Sequence, residues 1–357
     1  MMILGIGGCT ALLVTGFGIK DSVTNIADMQ YDEIQIYDIN ITFKDPVQKS
    51  DLDGLAAQMK DTIADAACRF EESVDLDFNG RTKSIYLEIP ENPEDQSIFL
   101  DLHTKGGEKI AYPAAGEAVI SQKLADNLGI RTGDSVVLRD HDMNSLTVTI
   151  AALCENFVYN YIYISKETYQ EQLGRKPEYK SAYVNIKEGT DIHAAAAQLS
   201  DQSGVLAVSV TKDMRDRIGS MMESLDYIVL LIVVCAGSLA FIVLYNLTNI
   251  NITERMREIA TIKVLGFYAK ETADYVFREN LALTAIGAVI GLGLGKWLHW
   301  FVMYQVNIDM LSFKTVILPV SYLWSLVLTF VFALLVNAVM YFKLEKINMA
   351  ESLKSIE

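Results

Sequence analysis

Four long runs of this chain are almost free of charge: residues 1–19, 226–247, 280–304 and 316–342 contain only Asp226 and Lys296 as ionisable Asp, Glu, Lys or Arg. Each is close to or above the length of about 20 residues that an α-helix needs to cross the hydrocarbon of a bilayer. Backbone polar groups in lipid must be satisfied within the element, so such runs are committed to being helices. The hydrophobic residues, 51% of the 357, are concentrated here. That distribution marks an integral membrane protein rather than a large soluble core.

The segment between the first run and the second is of another kind. Residues 20–223 carry 20 Lys+Arg against 35 Asp+Glu, which is the whole of the net charge of −15. An acidic segment of that size argues against nucleic acid and anionic lipid as partners. Its pattern is mixed. Ile34, Ile36, Ile39, Ile41 and Phe43 form a strand-like run, whereas Leu52, Leu55, Met59, Ile63 and Phe70 keep helical spacing. Asn79-Gly80 supplies the positive φ of a tight hairpin turn. Glu117 to Leu128 reads as a short amphipathic helix closed by Gly129. Strands are expected at Val136–Arg139, Leu146–Leu153 and Tyr159–Ile164, then a strand, helix, strand series over Ala182–Ile186, Ile192–Leu199 and Val205–Val210. Ser209 to Leu225 reads as a polar helical stalk. The expected fold is a membrane protein of four transmembrane α-helices, with an α+β extracytoplasmic domain inserted between the first and second spans.

Orientation follows from Lys and Arg in short loops. The connector between the second and third spans carries Arg255, Arg257, Lys263, Lys270 and Arg278, and the tail carries Lys343, Lys346 and Lys354. Only Lys314 lies between the last two spans. The connector and C-terminus are therefore expected in the cytoplasm and the acidic domain outside. Lys212, Arg215 and Arg217 oppose this, but long translocated domains largely escape the rule.

Within the connector, Ile252, Met256, Ile259 and Ile262 fall on one helical stripe, with Thr253, Glu254, Arg257, Glu258 and Thr261 opposite. Leu265-Gly266 breaks the pattern. Such a helix lies along the membrane or docks on another protein. In the third span Gly287, Gly291 and Gly295 recur every four residues, a face that a second helix can approach closely, within the chain or across a dimer. Ser238 and Asn337 are the main polar residues at depth, which argues against a hydrophilic path through the spans.

Signatures of enzyme chemistry are missing. HExxH, G-x-S-x-G and a strand-borne phosphate loop do not occur, and Gly295-Lys296 is followed by Trp297 rather than Ser or Thr. His103, His141, His193 and His299 are scattered, and acidic pairs such as Asp32-Glu33 and Glu71-Glu72 read as solvated faces. No metal or cofactor is expected. Of the four cysteines, Cys68 and Cys154 leave one disulfide open.

The run ERMREIATIKVLGF, followed by Arg278-Glu279-Asn280 and the glycine-rich span, resembles the permease domain of FtsX-like and MacB-like ABC transporter subunits. Glu254, Arg255, Glu258, Ile259, Lys263, Gly266 and Glu279 hold the places of that family's E-R-x-x-E-I-x-x-x-K-x-x-G pattern and of the Glu that opens its next span. The end of the first run, GFGIKDS, and the segment EAVISQKLADNLGIRTG are also similar to the family's. The resemblance implies a non-enzymatic permease subunit in the cell membrane, paired with a separate cytoplasmic ABC ATPase. Glu254, Arg257 and Glu258 would face that ATPase. It further implies a first span at 1–19, an outer MacB-like domain with its stalk at 20–225, a permease domain at 226–345 and a cytoplasmic tail at 346–357. Such a chain works as a homodimer or as the second four-span unit of a longer permease, since the cytoplasmic lead-in usual before the first span is not seen here. The same spans would also fit a membrane-anchored extracellular binding or scaffold protein with no ATPase partner, but a simple anchor needs no structured connector.

Overall fold

A computed structural model describes residues 2–24, 26–254, 258, 261–262, 265, 269–306 and 311–345. Helix α1 (Met2–Thr24) runs past the expected end at residue 19. Ile26–Asp28 is helical and Met29–Ile34 forms a π-helical turn. Ile34 and Ile36 therefore lie outside the first strand. The turn is closed by Gln35 N donating to Gln30 O at 2.8 Å. It is pinned by the buried Gln30 side chain, whose Oε1 accepts from Phe157 N (2.8 Å) and Val158 N (3.2 Å) and whose Nε2 donates to Asn156 Oδ1 (3.0 Å). A buried amide satisfied on both sides fixes this backbone more firmly than strand propensity can.

The next elements are β1 (Ile39–Phe43), α2 (Lys49–Gln58), β2 (Ile63–Phe78), β3 (Arg81–Pro90), α3 (Pro93–Gln96), β4 (Glu117–Ser121) and α4 (Gln122–Leu128). They are followed by β5 (Ser135–Arg139), β6 (Ser145–Cys154), β7 (Tyr161–Ile164), α5 (Lys166–Leu173), β8 (Ser181–Ile186), α6 (Ile192–Ser200) and β9 (Val205–Val210). Two expectations are corrected. The helical stripe stops at Gln58, and Ile63 and Phe70 belong to β2, which bonds to strands on both edges. Residues 117–121 are strand, buried between β6 and β7, and the helix begins only at Gln122. The Asn79-Gly80 turn joins β2 to β3, with φ of 49° and 76°. Gly129 caps α4 with φ 79°.

The sheet order is β3-β7-β4-β6-β5-β2-β8-β1-β9, with β3 also paired to β2. That extra pairing closes six strands into a ring. The 16-residue β2 serves both parts: residues 69–78 pair with β3 in the ring, while residues 63–69 pair with β8 outside it. Outside the ring, β1-α2-β2-β8-α6-β9 forms a β-α-β-β-α-β unit with strand order β2-β8-β1-β9, every neighbour antiparallel. Each part has its own core. Leu76, Leu87, Ile120, Leu138, Ile150 and Ile162 fill the ring. Ile39, Ile41, Leu52, Val184 and Leu199 lie between the other strands and helices α2 and α6.

Three long helices complete the described chain: α7 (Thr211–Glu254), α8 (Ala269–Gln305) and α9 (Pro319–Glu345). The stalk and second span are thus one 44-residue helix, about 66 Å long at 1.5 Å per residue. Among the described residues, four helical segments are long and apolar enough to cross a membrane: Met2–Ile34, Thr211–Glu254, Phe277–Gln305 and Pro319–Phe342. The chain divides into two compact units. One comprises Met1–Thr24, Met222–Asn307 and Phe313–Glu357, and the other Asn25–Met221 with Ile308–Ser312.

Candidate functional site

The connector starts where α7 ends. Ile252 is 2% exposed and packs with Ile6, Leu244, Val336 and Met340, while Thr253 and Glu254 are exposed. The two faces of this last turn thus differ as an amphipathic segment requires. Glu258 and Thr261 are helical and exposed, and Ile262 is half-buried. Leu265 is 72% exposed in a turn, its N donating to Thr261 O at 3.0 Å. Arg255, Met256, Arg257, Ile259, Lys263 and Gly266 lie outside the described residues. On either side of the connector, Asn251 Nδ2 donates to Asn280 Oδ1 (3.3 Å), which ties the end of α7 to α8.

The three glycines of α8 sit against α1. A Cβ added at Gly287 would meet Ile6 Cβ at 2.9 Å, at Gly291 Thr10 Cβ at 2.6 Å, and at Gly295 Val14 Cβ at 2.6 Å. At this separation the hydroxyls of α1 reach other helices. Thr10 Oγ1 lies 3.1 Å from Thr329 Oγ1 of α9, and Thr15 Oγ1 donates to Gly295 O at 3.3 Å. Ser22 Oγ bonds His299 Nε2 (3.0 Å) and donates to Val316 O (3.0 Å). Small residues that allow close backbones, with hydroxyls bonding across them, are how helices adhere in lipid. The positions of Thr10, Thr15 and Thr329 were readable as polar residues in apolar runs, but their partners were not.

Sequence reasoning missed a buried ion cluster in the outer domain. Glu88 on β3 is 1% exposed; its carboxylate accepts from Gln96 Nε2 (2.9 Å) and Tyr183 OH (3.2 Å) and lies 3.5 Å from Arg69 Nη1. Arg69 also pairs with Glu71, and its guanidinium stacks 4.1 Å over the Tyr183 ring. Burial pushes the Glu88 carboxyl up to about 7, against the opposing pull of Arg69. An arginine inside the long β2 run was the available signal.

Leu311 and Ser312, from the link between α8 and α9, belong to the outer unit. Leu311 bridges Val158, Ser312 N donates to Phe157 O at 2.7 Å, and Lys123 Nζ donates to Leu311 O. Cys68 and Cys154 are buried free thiols in separate strands, so the disulfide left open by the sequence does not form in this structure. Among the described residues, no group of three His, Cys, Asp or Glu is placed to hold a metal.

A family model described as the MacB-like periplasmic core domain matches residues 1–202, and one described as the FtsX-like permease C-terminal matches residues 230–349. No curated protein matches the chain. Among solved structures, the periplasmic region of MacB from Actinobacillus actinomycetemcomitans is similar at 11% identity and a TM-score of 0.36, over 52% of this chain and 94% of that one. The extracellular domain of the noncanonic ABC-type transporter YknZ from Gram-positive bacteria is similar at 15% identity and a TM-score of 0.34, over 49% and 98%. The two family models together account for most of the sequence, and the chain belongs to the FtsX-like and MacB-like family of ABC transporter permeases.

Proposed function

We infer that this chain is the membrane subunit of an ATP-driven machine in which a separate cytoplasmic ABC ATPase docks on the connector and moves the extracytoplasmic domain. The observation that carries this reading is the single helix from Thr211 to Glu254, which starts directly after β9 and ends at the connector. A continuous helix conveys an axial or tilting displacement along its whole length, because each turn is bonded to the next. The connector and C-terminus are cytoplasmic in this reading, as the Lys and Arg of residues 249–279 favour. Glu254, Arg255, Arg257, Glu258, Ile259, Lys263 and Gly266 are the coupling residues of this reading, with the ATPase contact assigned to Glu254, Arg257 and Glu258. Export and purely mechanical signalling both use this motion. The apolar character of the spans favours the mechanical form. The subunit acts as a homodimer or as half of a longer permease.

The test is affinity purification of the chain from native membranes in mild detergent, with mass spectrometry, beside an Arg257→Glu/Glu258→Lys variant. Recovery of an ABC ATPase with the parent and its loss with the variant is the expected result. Recovery of an ATPase with both removes the connector from the contact. Recovery with neither leaves an anchored extracellular scaffold as the better reading.

A further inference from the structure

The loop between β6 and β7 is gripped from two sides, and the two grips are unequal. On one side is Gln30, 0% exposed, whose amide bonds Phe157 N, Val158 N and Asn156 Oδ1. Asn156 in turn donates through Nδ2 to Val158 O and to Tyr159 O, each at 2.8 Å. Asn156, Phe157 and Val158 are all buried. Tyr159 stands at φ 62°, a left-handed conformation that a tyrosine keeps only where its surroundings impose it. The Gln30 and Asn156 amides thus fix the shape of this loop.

On the other side are Leu311 and Ser312, which come from the link between α8 and α9 and belong to the same compact unit as the loop. Ser312 N donates to Phe157 O at 2.7 Å, and Lys123 Nζ of α4 donates to Leu311 O. Leu311 and Ser312 are only half-buried, and residues 312–318 are neither helix nor strand. Hydrogen bonds at half-exposed residues are exchanged for bonds to water at little net cost. Opening the Gln30 grip would instead strand a buried side-chain amide together with the backbone N–H groups of Phe157 and Val158, which costs far more. That difference decides which grip yields first. Segments with few buried apolar contacts and accessible hydrogen bonds open well below the global stability of a domain.

We propose that Leu311–Ser312 is a strap. It lies across the β6–β7 loop in one form of the chain and comes away from it in another, while Gln30 holds the loop in both. Lys123 is the catch that favours the strapped form. With the strap shut, the outer unit is joined to the link between α8 and α9 as well as to the chain at the two ends of residues 25–221. With the strap open, those two ends alone carry it. The device therefore sets how many parts of the membrane half the outer unit is tied to. It is an equilibrium of the chain by itself and does not rest on the ATPase reading.

The test is amide hydrogen exchange on the full chain in lipid nanodiscs, resolved to single residues by electron-transfer fragmentation and corrected for intrinsic rates. The Ser312 amide reports the strap, and the Phe157 and Val158 amides report the Gln30 grip. Ser312 is expected to be protected, yet to exchange at least about tenfold faster than the other two. Lys123→Met should speed Ser312 by about tenfold more and leave Phe157 and Val158 unchanged. A second variant shuts the strap. Because Ser312 N bonds Phe157 O, Val158 and Leu311 are a non-hydrogen-bonded antiparallel pair. Their Cα atoms then lie about 4.5 Å apart, within reach of a disulfide. In the oxidised Val158→Cys/Leu311→Cys chain, Ser312 should exchange as slowly as Phe157; if that variant does not fold, the Lys123→Met comparison decides. The proposal is overturned by exchange of the three amides at one rate or in the reverse order, or by a Ser312 amide with no protection. Indifference of Ser312 to Lys123→Met, or a folded cysteine pair that does not cross-link under oxidant, overturns it equally.

Discussion

Replacing Glu88 by Gln should abolish a specific loss of stability of the outer domain as pH rises. Glu88 is fully enclosed, and burial raises its carboxyl from 4.5 to about 7 despite Arg69 and the hydrogen bonds from Gln96 and Tyr183. Between those two values the folded state holds a proton that the unfolded state has released. The stabilisation is therefore complete below pH 4.5 and lost as pH rises through 7. A shift of that size is worth about 3 kcal/mol in full, most of which falls between pH 5 and pH 8. The assay is hydrogen exchange with mass spectrometry on the β2 and β3 amides of the full chain in nanodiscs, corrected for the intrinsic pH dependence of exchange. Relative to Glu88→Gln, the parent should lose on the order of 10- to 100-fold in protection across that window. Parallel profiles for parent and variant would refute the reasoning, because they would mean that Glu88 stays ionised beside Arg69 at pH 5.

Gly291→Val should destabilise the packing of α8 on α1 by about 1–3 kcal/mol, since its Cβ would lie 2.6 Å from Thr10 Cβ and 2.7 Å from Gly7 O. A drop in melting temperature in detergent checks this, with Gly293→Val, where no atom lies within 4 Å, as the neutral control. Gly80→Val should cost the outer domain about 1 kcal/mol or more, because φ is 76° there and a β-branched side chain is strained in that region. Cys68 and Cys154 are buried, and burial pushes both thiols up to about 12. In the folded chain they should alkylate at pH 8 about a hundredfold or more slowly than in urea, and omitting reductant should leave the thiol count unchanged. Peptide mapping of the labelled cysteines reads both outcomes.

The membrane helices were legible because length and absence of charge leave no alternative in lipid. So was the placement of an α+β domain between the first and second spans, since strands such as β5, β6, β8 and β9 alternate or carry β-branched runs between turns. The strand β2 was not. Its sequence IADAACRFEESVDLDF holds buried Arg69 and half-buried Glu71 and Glu72, so neither period shows. Likewise β4 runs directly into α4 with no break, and Ser121 ends one and caps the other. The Arg69–Glu88 cluster depends on the β2–β3 register that places Glu71 opposite Glu88, which only the folded sheet specifies. The glycine face of α8 could be read as a place of close approach, but its neighbour α1 lies some 280 positions away in sequence and no local pattern names it. Of the seven residues expected to couple to an ATPase, the structure describes Glu254 and Glu258, both exposed.

Arg69 of β2 and Ser181 of β8 are direct cross-strand partners. The chain therefore leaves the β-α-β-β-α-β unit and re-enters it at adjacent points, so residues 70–180 are covalently attached at one place and are further held by Gln30 and Tyr183. This is the geometry of a graft. A segment attached that way can be enlarged at its far loops without moving the strands that carry it. The core that fills the ring and the core between β1, β8, β9, α2 and α6 are distinct, and Tyr183 of β8 is the buried side chain that reaches across, packing with Phe99 and bonding Glu88. The segment 70–180 can thus vary in sequence while the part adjoining α7 stays the same, provided the partners of Gln30 and Tyr183 are kept, and a chimera that exchanges residues 70–180 between two such chains should fold when the donor retains a carboxylate at position 88.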